Sequence, residues 1–201
     1  MRAIALCVLG GLMLAGEARA QGGAQDAASV GDPAAGKTLA GQCRTCHGID
    51  GVARIPIAPN IGGETAGYLS AQLHAFKEGK RVHEMMSVVS AALTDQQIAD
   101  LAAWYGSITP VAALTAAPED APELCTGCHA ADGISVLPEA PHLAGEAGVY
   151  ILEQLKAFAS GKRESEVMTP IAQDLSPEEM RAAADWYAAV EFTTVMPDEG
   201  G

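Results

Sequence analysis

The sequence predicts an all-α protein built from two tandem copies of one small domain. Three observations carry that expectation. A self-match at an offset of 82 positions runs without a gap from Cys43 to Glu191. Within each copy, apolar residues recur at helical spacing between capping residues and glycines. No stretch shows the two-residue alternation of a half-buried strand. A chain of 201 residues has room for one domain or two, and the repeat decides for two. Each copy is small for a self-sufficient core, so a large apolar group held at its centre supplies much of what the side chains lack.

The elements follow in chain order. Arg2, the apolar run Ala3 to Ala15 and then Ala18-Arg19-Ala20 make residues 1–20 a secretory signal peptide, shorter in its apolar run than the ~20 residues of a bilayer span. Residues 21–31 are Gly/Ala-rich and read as a flexible N-terminal segment. The first domain is 32–109. Asp32-Pro33 supplies an N-cap with proline at N1 and opens a helix expected to carry Cys43 to His47. Proline and glycine clusters then form a loop, Thr65 to Glu78 is a helix ended by Gly79, and Thr94 with Gln97 forms a capping box for a last helix reaching Trp104-Tyr105. Residues 110–122, with Pro110, Pro118 and Pro122, are a linker that fixes the placement of the domains only if it also packs. The second domain, 123–193, repeats the plan with Ala147 to Ser160, Gly161, the box Ser176 to Glu179 and Trp186-Tyr187, and 194–201 is a tail.

Two copies of C-x-x-C-H, Cys43-Arg44-Thr45-Cys46-His47 and Cys125-Thr126-Gly127-Cys128-His129, hold the chemistry. This is the pattern by which haem c is attached through two thioethers while the histidine takes the iron. On a helical turn, positions i, i+3 and i+4 share a face, so both thiols and the imidazole reach one porphyrin. Of five cysteines, Cys7 leaves with the leader and the other four lie in the motifs, so none remains for a structural disulfide. Zinc binding or disulfide exchange by the C-x-x-C pairs is the weaker reading, because a histidine follows both.

The duplication filters the remaining ligands. Only His47 and His129 coincide among the histidines; His74 faces Lys156, His83 faces Ser165 and His142 faces Asn60, which reads these three as surface or packing residues, with His83 notable for lying three residues before Met86. Met86 and Met168 coincide, whereas Met85 faces Val167 and Met180 faces Ile98. A buried methionine is ordinarily core filler. A sulfur at one fixed distance beyond an iron-binding histidine in both copies is read as the second axial ligand, an arrangement that raises the reduction potential. The expected cofactors are therefore two covalently attached haem c groups held by Cys43, Cys46, His47, Met86, Cys125, Cys128, His129 and Met168, with His47, Met86, His129 and Met168 on the irons. With both axial positions filled, no site is left for substrate, which implies an electron carrier with no catalytic residues. Pro59 and Pro141 are expected to offer carbonyls to the axial imidazoles. Lys80-Arg81 and Lys162-Arg163 either pair with haem propionates or are solvated charges, and the Trp-Tyr pairs pack the last helix of each copy.

Charge is uneven. The whole chain carries −13; residues 21–109 hold six Lys/Arg against eight Asp/Glu, and 110–201 hold four against sixteen. That disfavours nucleic acid and anionic membranes as partners and favours a redox protein with a basic docking patch.

On the C-x-x-C-H motifs, the Pro59-Asn60-Ile61-Gly62-Gly63 loop, the Gln-Leu-x-x-Phe helix followed by Gly-Lys-Arg, and Met86, all repeated, the chain resembles the cytochrome c4 family, exported dihaem proteins of two class I cytochrome c domains. The resemblance implies the same eight haem ligands, a periplasmic location and electron transfer from quinol-oxidising complexes towards terminal oxidases, with association with a membrane-bound oxidase but no stable membrane insertion. Two departures stand out: Val88 lies where the second copy has Pro170, and His142 replaces an asparagine-like residue. The rival readings are a cytochrome subunit of a dehydrogenase complex and a dihaem peroxidase or thiosulfate dehydrogenase-like enzyme, the latter requiring an open iron.

Overall fold

The computed structural model describes residues 30–198; the expected leader, most of the N-terminal segment and the end of the tail lie outside the described residues. In the first repeat, α1 (Pro33–Ala40) begins at Asp32, whose carboxylate accepts from the Ala34 N–H. The chain then turns at 41–43, so the first motif sits on a separate short helix, α2 (Arg44–His47), with Cys43 as its N-cap, and not on the helix that Pro33 opens. Next come α3 (Ala66–Lys77), α4 (Glu84–Ala91) and α5 (Asp95–Gly106), the last with both arms of its capping box formed. The second repeat gives α6 (Glu123–His129), α7 (Gly148–Ala159), α8 (Met168–Asp174) and α9 (Pro177–Ala188), again with a complete capping box. Gly79 and Gly161, at φ +75° and +74°, stop α3 and α7 as expected.

Each repeat closes over its own core. Leu69, Leu101, Trp104, Tyr105 and Ile108 cluster in the first, and Ile151, Leu155, Phe158, Met180 and Tyr187 in the second. The Trp-Tyr pairs do more than fill space. Trp104 Nε1 and Tyr105 OH donate to the carbonyls of Ile49 and Gly48, and Trp186 and Tyr187 to those of Ala131 and Ala130. The last helix is thereby tied to the residues directly after the motif histidine, which sets where that imidazole lies.

The expectation of no strands is corrected in one place. β1 (Thr109–Ala113) pairs antiparallel with β2 (Glu191–Val195), so the start of the presumed linker is a strand. The two strands occupy the same repeat positions, and the central pair, Val111 opposite Thr193, is one position in both copies. A bridge between Arg81 and Arg163 repeats this relation. The copies therefore pack about a pseudo-twofold axis. Gly63 and Gly145, at φ +86° and +61°, let each strand lie close against its own repeat, because a Cβ on them would lie 2.5 Å from Pro110 and 2.4 Å from Phe192. Past β1, Thr115 Oγ1 donates to Ala189 O, so the connection packs on the second repeat and does not swing free.

Candidate haem centres

Short helices and the Trp-Tyr anchors put both motif histidines inside. His47 is 8 % exposed and His129 6 %. In each, Nδ1 lies against a proline carbonyl, Pro59 O at 2.9 Å and Pro141 O at 2.8 Å. A carbonyl only accepts, so Nδ1 carries the proton and Nε2 keeps its lone pair for a metal. Burial holds both imidazoles below the ordinary histidine value, against the opposing pull of the proline carbonyls, and so keeps them neutral as a ligand must be.

Cys43, Cys46, Cys125 and Cys128 are free thiols, each half-buried. Cys43 and Cys125 lie against the core clusters, and burial raises their thiols above the usual range. Four unpaired thiols in two i, i+3 pairs, each beside an imidazole with one nitrogen committed and one available, match the donor set of two haem c groups.

Met86 and Met168 both sit in the first turn of a short helix that sequence patterning did not separate from the loop. The reason is a cap made by different residues. His83 Nδ1 accepts from the N–H groups of Met85 and Met86, while its own N–H reaches Ser87 Oγ. Ser165 Oγ accepts from Val167 and Met168, and its N–H reaches Thr169 Oγ1. His83 is thus a cap with Nδ1 occupied, equivalent to Ser165. Its charge also helps to hold His47 below the ordinary histidine value, after burial. Met168 packs on the cluster that Cys125 touches. Of the other non-coinciding histidines, His142 is at the domain contact: its Nδ1 accepts from Ser135 N–H and its Nε2 donates to Gly63 O.

The arginines are not the solvated charges of one reading. Lys80 is exposed and pairs with Glu78, but Arg81 and Arg163 are half-buried between the repeats. Arg81 donates to Gln72 (2.7 Å), Tyr150 OH (3.2 Å) and Gln154 (2.8 Å); Arg163 donates to Gln154 (2.8 Å), Tyr68 OH (3.2 Å) and Gln72 (3.0 Å). Each guanidinium stacks 4.5 Å from a ring centre, Phe76 or Phe158.

The same interface buries two carboxyls that the motifs did not single out. Glu64 and Glu146 are each 3 % exposed. Burial pushes Glu64 up to about 8, opposed by the His142 N–H, and holds Glu146 well above the ordinary carboxylate value, with the Glu64 charge adding to the effect. The groups facing them include each other, His142 and Tyr68. Between the ordinary carboxylate value and about 8, the folded chain binds more protons than the unfolded chain, so stability falls as pH rises through that window. Denaturant midpoints followed from about pH 5 to about pH 9 should decline in the native sequence and less steeply in Glu64→Gln. An equal decline in both would place the ionisation elsewhere.

Comparison with known proteins agrees with this geometry. The Cytochrome c family model matches residues 33–108. A cytochrome c4 of Pseudomonas aeruginosa is 32 % identical over 177 residues, 79 % of this chain and 88 % of that protein. The thiosulfate dehydrogenase electron acceptor of Stutzerimonas stutzeri is 31 % identical, over 74 % of this chain and 78 % of its own length. The crystal structure of reduced recombinant cytochrome c4 from Pseudomonas stutzeri superimposes with a TM-score of 0.70 at 28 % identity, covering 81 % of this chain and all of that one.

Proposed function

Because the chain belongs to the cytochrome c4 family and is a dihaem c-type electron carrier, we propose that it works in the periplasm, passing single electrons from a respiratory donor to an acceptor such as a terminal oxidase. The observation that carries this reading is the twice-repeated imidazole with Nδ1 committed to a proline carbonyl and Nε2 left for iron. In this reading Cys43, Cys46, Cys125 and Cys128 would anchor the two haems, and His47, His129, Met86 and Met168 would hold the irons. The haems supply a reversible one-electron couple. The protein holds the ligands in place through both oxidation states: the Trp-Tyr bonds fix the motif segment, the His83 and Ser165 caps fix the methionine turns, and the two cores keep water away. Arg81 and Arg163 have no carboxylate partner among the described residues, which suits them to the haem propionates as well as to each other's domain.

Docking follows charge. Glu139 and Glu164 are exposed in the second domain where the first presents Ile57 and Val82, 61 % and 75 % exposed. We assign the acidic second domain as the face for a basic redox partner. Electron transfer to such a partner should slow as ionic strength rises from about 0.01 to about 1 M, over which the screening length drops from about 30 to about 3 Å. Salt-independent rates would remove the acidic docking face. The similarity to a thiosulfate dehydrogenase electron acceptor favours a second reading, in which the donor is a dehydrogenase and the same two centres accept its electrons. Reduction rates with quinol-oxidising membranes and with a thiosulfate-oxidising enzyme separate the two.

A further inference from the structure

One peptide group in each domain faces two ways. The carbonyl of Pro59 receives His47 Nδ1–H, and the backbone of Asn60, on the other side of the same peptide, lies against Glu146 of the other domain. The pseudo-twofold axis repeats this arrangement. Pro141 O receives His129 Nδ1–H, and the N–H of His142 donates to Glu64 Oε1 at 2.8 Å.

We propose that Glu64 and Glu146 are positioning residues that tune the axial imidazole of the opposite domain, each through a single peptide group. The inference rests on His47 and His129 being the iron ligands. An acceptor on an amide N–H deepens the polarisation of that amide and makes its carbonyl a stronger acceptor in turn. A stronger carbonyl acceptor draws on Nδ1–H and makes Nε2 a more basic donor, the usual effect of an outer partner on a ligating histidine. A more basic ligand favours the oxidised metal and lowers the reduction potential.

A role limited to holding the interface does not account for the side chains chosen. Oε2 of Glu64 and of Glu146 is buried with no hydrogen-bond partner, so each carboxyl is retained at a cost in desolvation that a smaller or apolar group avoids. The two lie 82 positions apart, at one position of the repeat; Glu64 satisfies the His142 amide of the other copy, and Glu146 lies against the Asn60 backbone of the other. The potential of each centre therefore depends on the domains being docked.

The test is a redox titration, resolved for the two centres, of Glu64→Leu, Glu146→Leu and the matching glutamine variants. Removing Glu64 should raise the potential of the centre held by His129, by up to about tenfold in its one-electron equilibrium or about 59 mV, with a smaller change at the centre in the domain that carries Glu64. Glu146→Leu should give the reverse pattern, and Glu64→Gln, which keeps an acceptor oxygen, should stay near the native value. A larger shift at the same-domain centre, an equal shift at both or no shift at either would overturn the proposal. If the leucine variants do not accumulate, Glu64→Asp and Glu146→Asp, whose shorter side chains withdraw the acceptor, carry the same expectations. Optical spectra taken on each variant keep the two readings apart. A null shift in a protein that remains low-spin at both centres counts against the relay, whereas a spectral change at His47→Ala or His129→Ala that fails to appear counts against those histidines as ligands.

Discussion

Met168→Ala is expected to leave the second haem covalently attached and to lower its reduction potential by a few tenths of a volt, within the range of about 0.8 V over which axial ligands move haem potentials. A thioether is a neutral, soft donor that favours the reduced metal, so its loss favours the oxidised one. The variant is a clean probe because the turn around it is held by other atoms. Ser165 Oγ takes the backbone N–H of residue 168, and Thr169 Oγ1 takes that of Ser165, neither of which needs the methionine side chain. What is lost otherwise is packing against the Ile151, Leu155 and Phe158 cluster, worth about 2–5 kcal/mol for a fully buried methionine and less for this half-buried one. Redox titration with optical spectra checks the outcome. The variant should also gain one position per molecule open to a small neutral ligand. An unchanged potential would make another residue the ligand, and Met86→Ala, measured beside it, shows whether Val88 against Pro170 makes the two centres respond differently.

The two haem-attachment motifs were legible in the sequence because their chemistry demands particular residue types at short fixed spacing, and a repeat doubles the signal. Capped helices were legible for a similar reason: Thr94 with Gln97 and Ser176 with Glu179 are local devices. The strand pair was not, since Thr109–Ala113 finds its partner about one repeat away and has only five residues in which to show a pattern. The methionine helices were hidden because His83 and Ser165 make the same cap with unlike side chains, which position-by-position comparison scores as a mismatch. Arg81 and Arg163 were read only as partners of a haem or of solvent, and Glu64 and Glu146 drew no reading at all. Comparing the copies asks what each needs for itself. Residues on a pseudo-twofold axis recur in both copies because each serves the other, and nothing in a one-dimensional alignment distinguishes the two causes.

Arg81→Ala should show that mutual service most directly. The native guanidinium donates to Gln72 in its own domain and to Tyr150 and Gln154 across the interface, and it stacks on Phe76. Hydrogen bonds from a charged donor are worth about 1.5–3 kcal/mol each in favourable settings. Half-burial and the repulsion between two neighbouring guanidiniums reduce that return, so a loss of about 2–3 kcal/mol is expected in denaturant unfolding. Lysine should not rescue it, because one ammonium cannot span three acceptors held in a planar fork. The double variant Arg81→Ala/Arg163→Ala is the sharper measurement. Both arginines share Gln72 and Gln154, and removing one relieves the other of a like charge, so the pair should cost less than the sum by about 0.5 kcal/mol or more. Strict additivity would mean that the two arginines act independently and that the axis between them carries no coupling. Loosening this contact should also draw Glu64 away from the amide of His142 and Glu146 away from the backbone of Asn60, so that both reduction potentials rise in the same variant that loses stability. A destabilised protein with unmoved potentials would separate the arginine cluster from the carboxyl relays and leave each domain setting its own redox level.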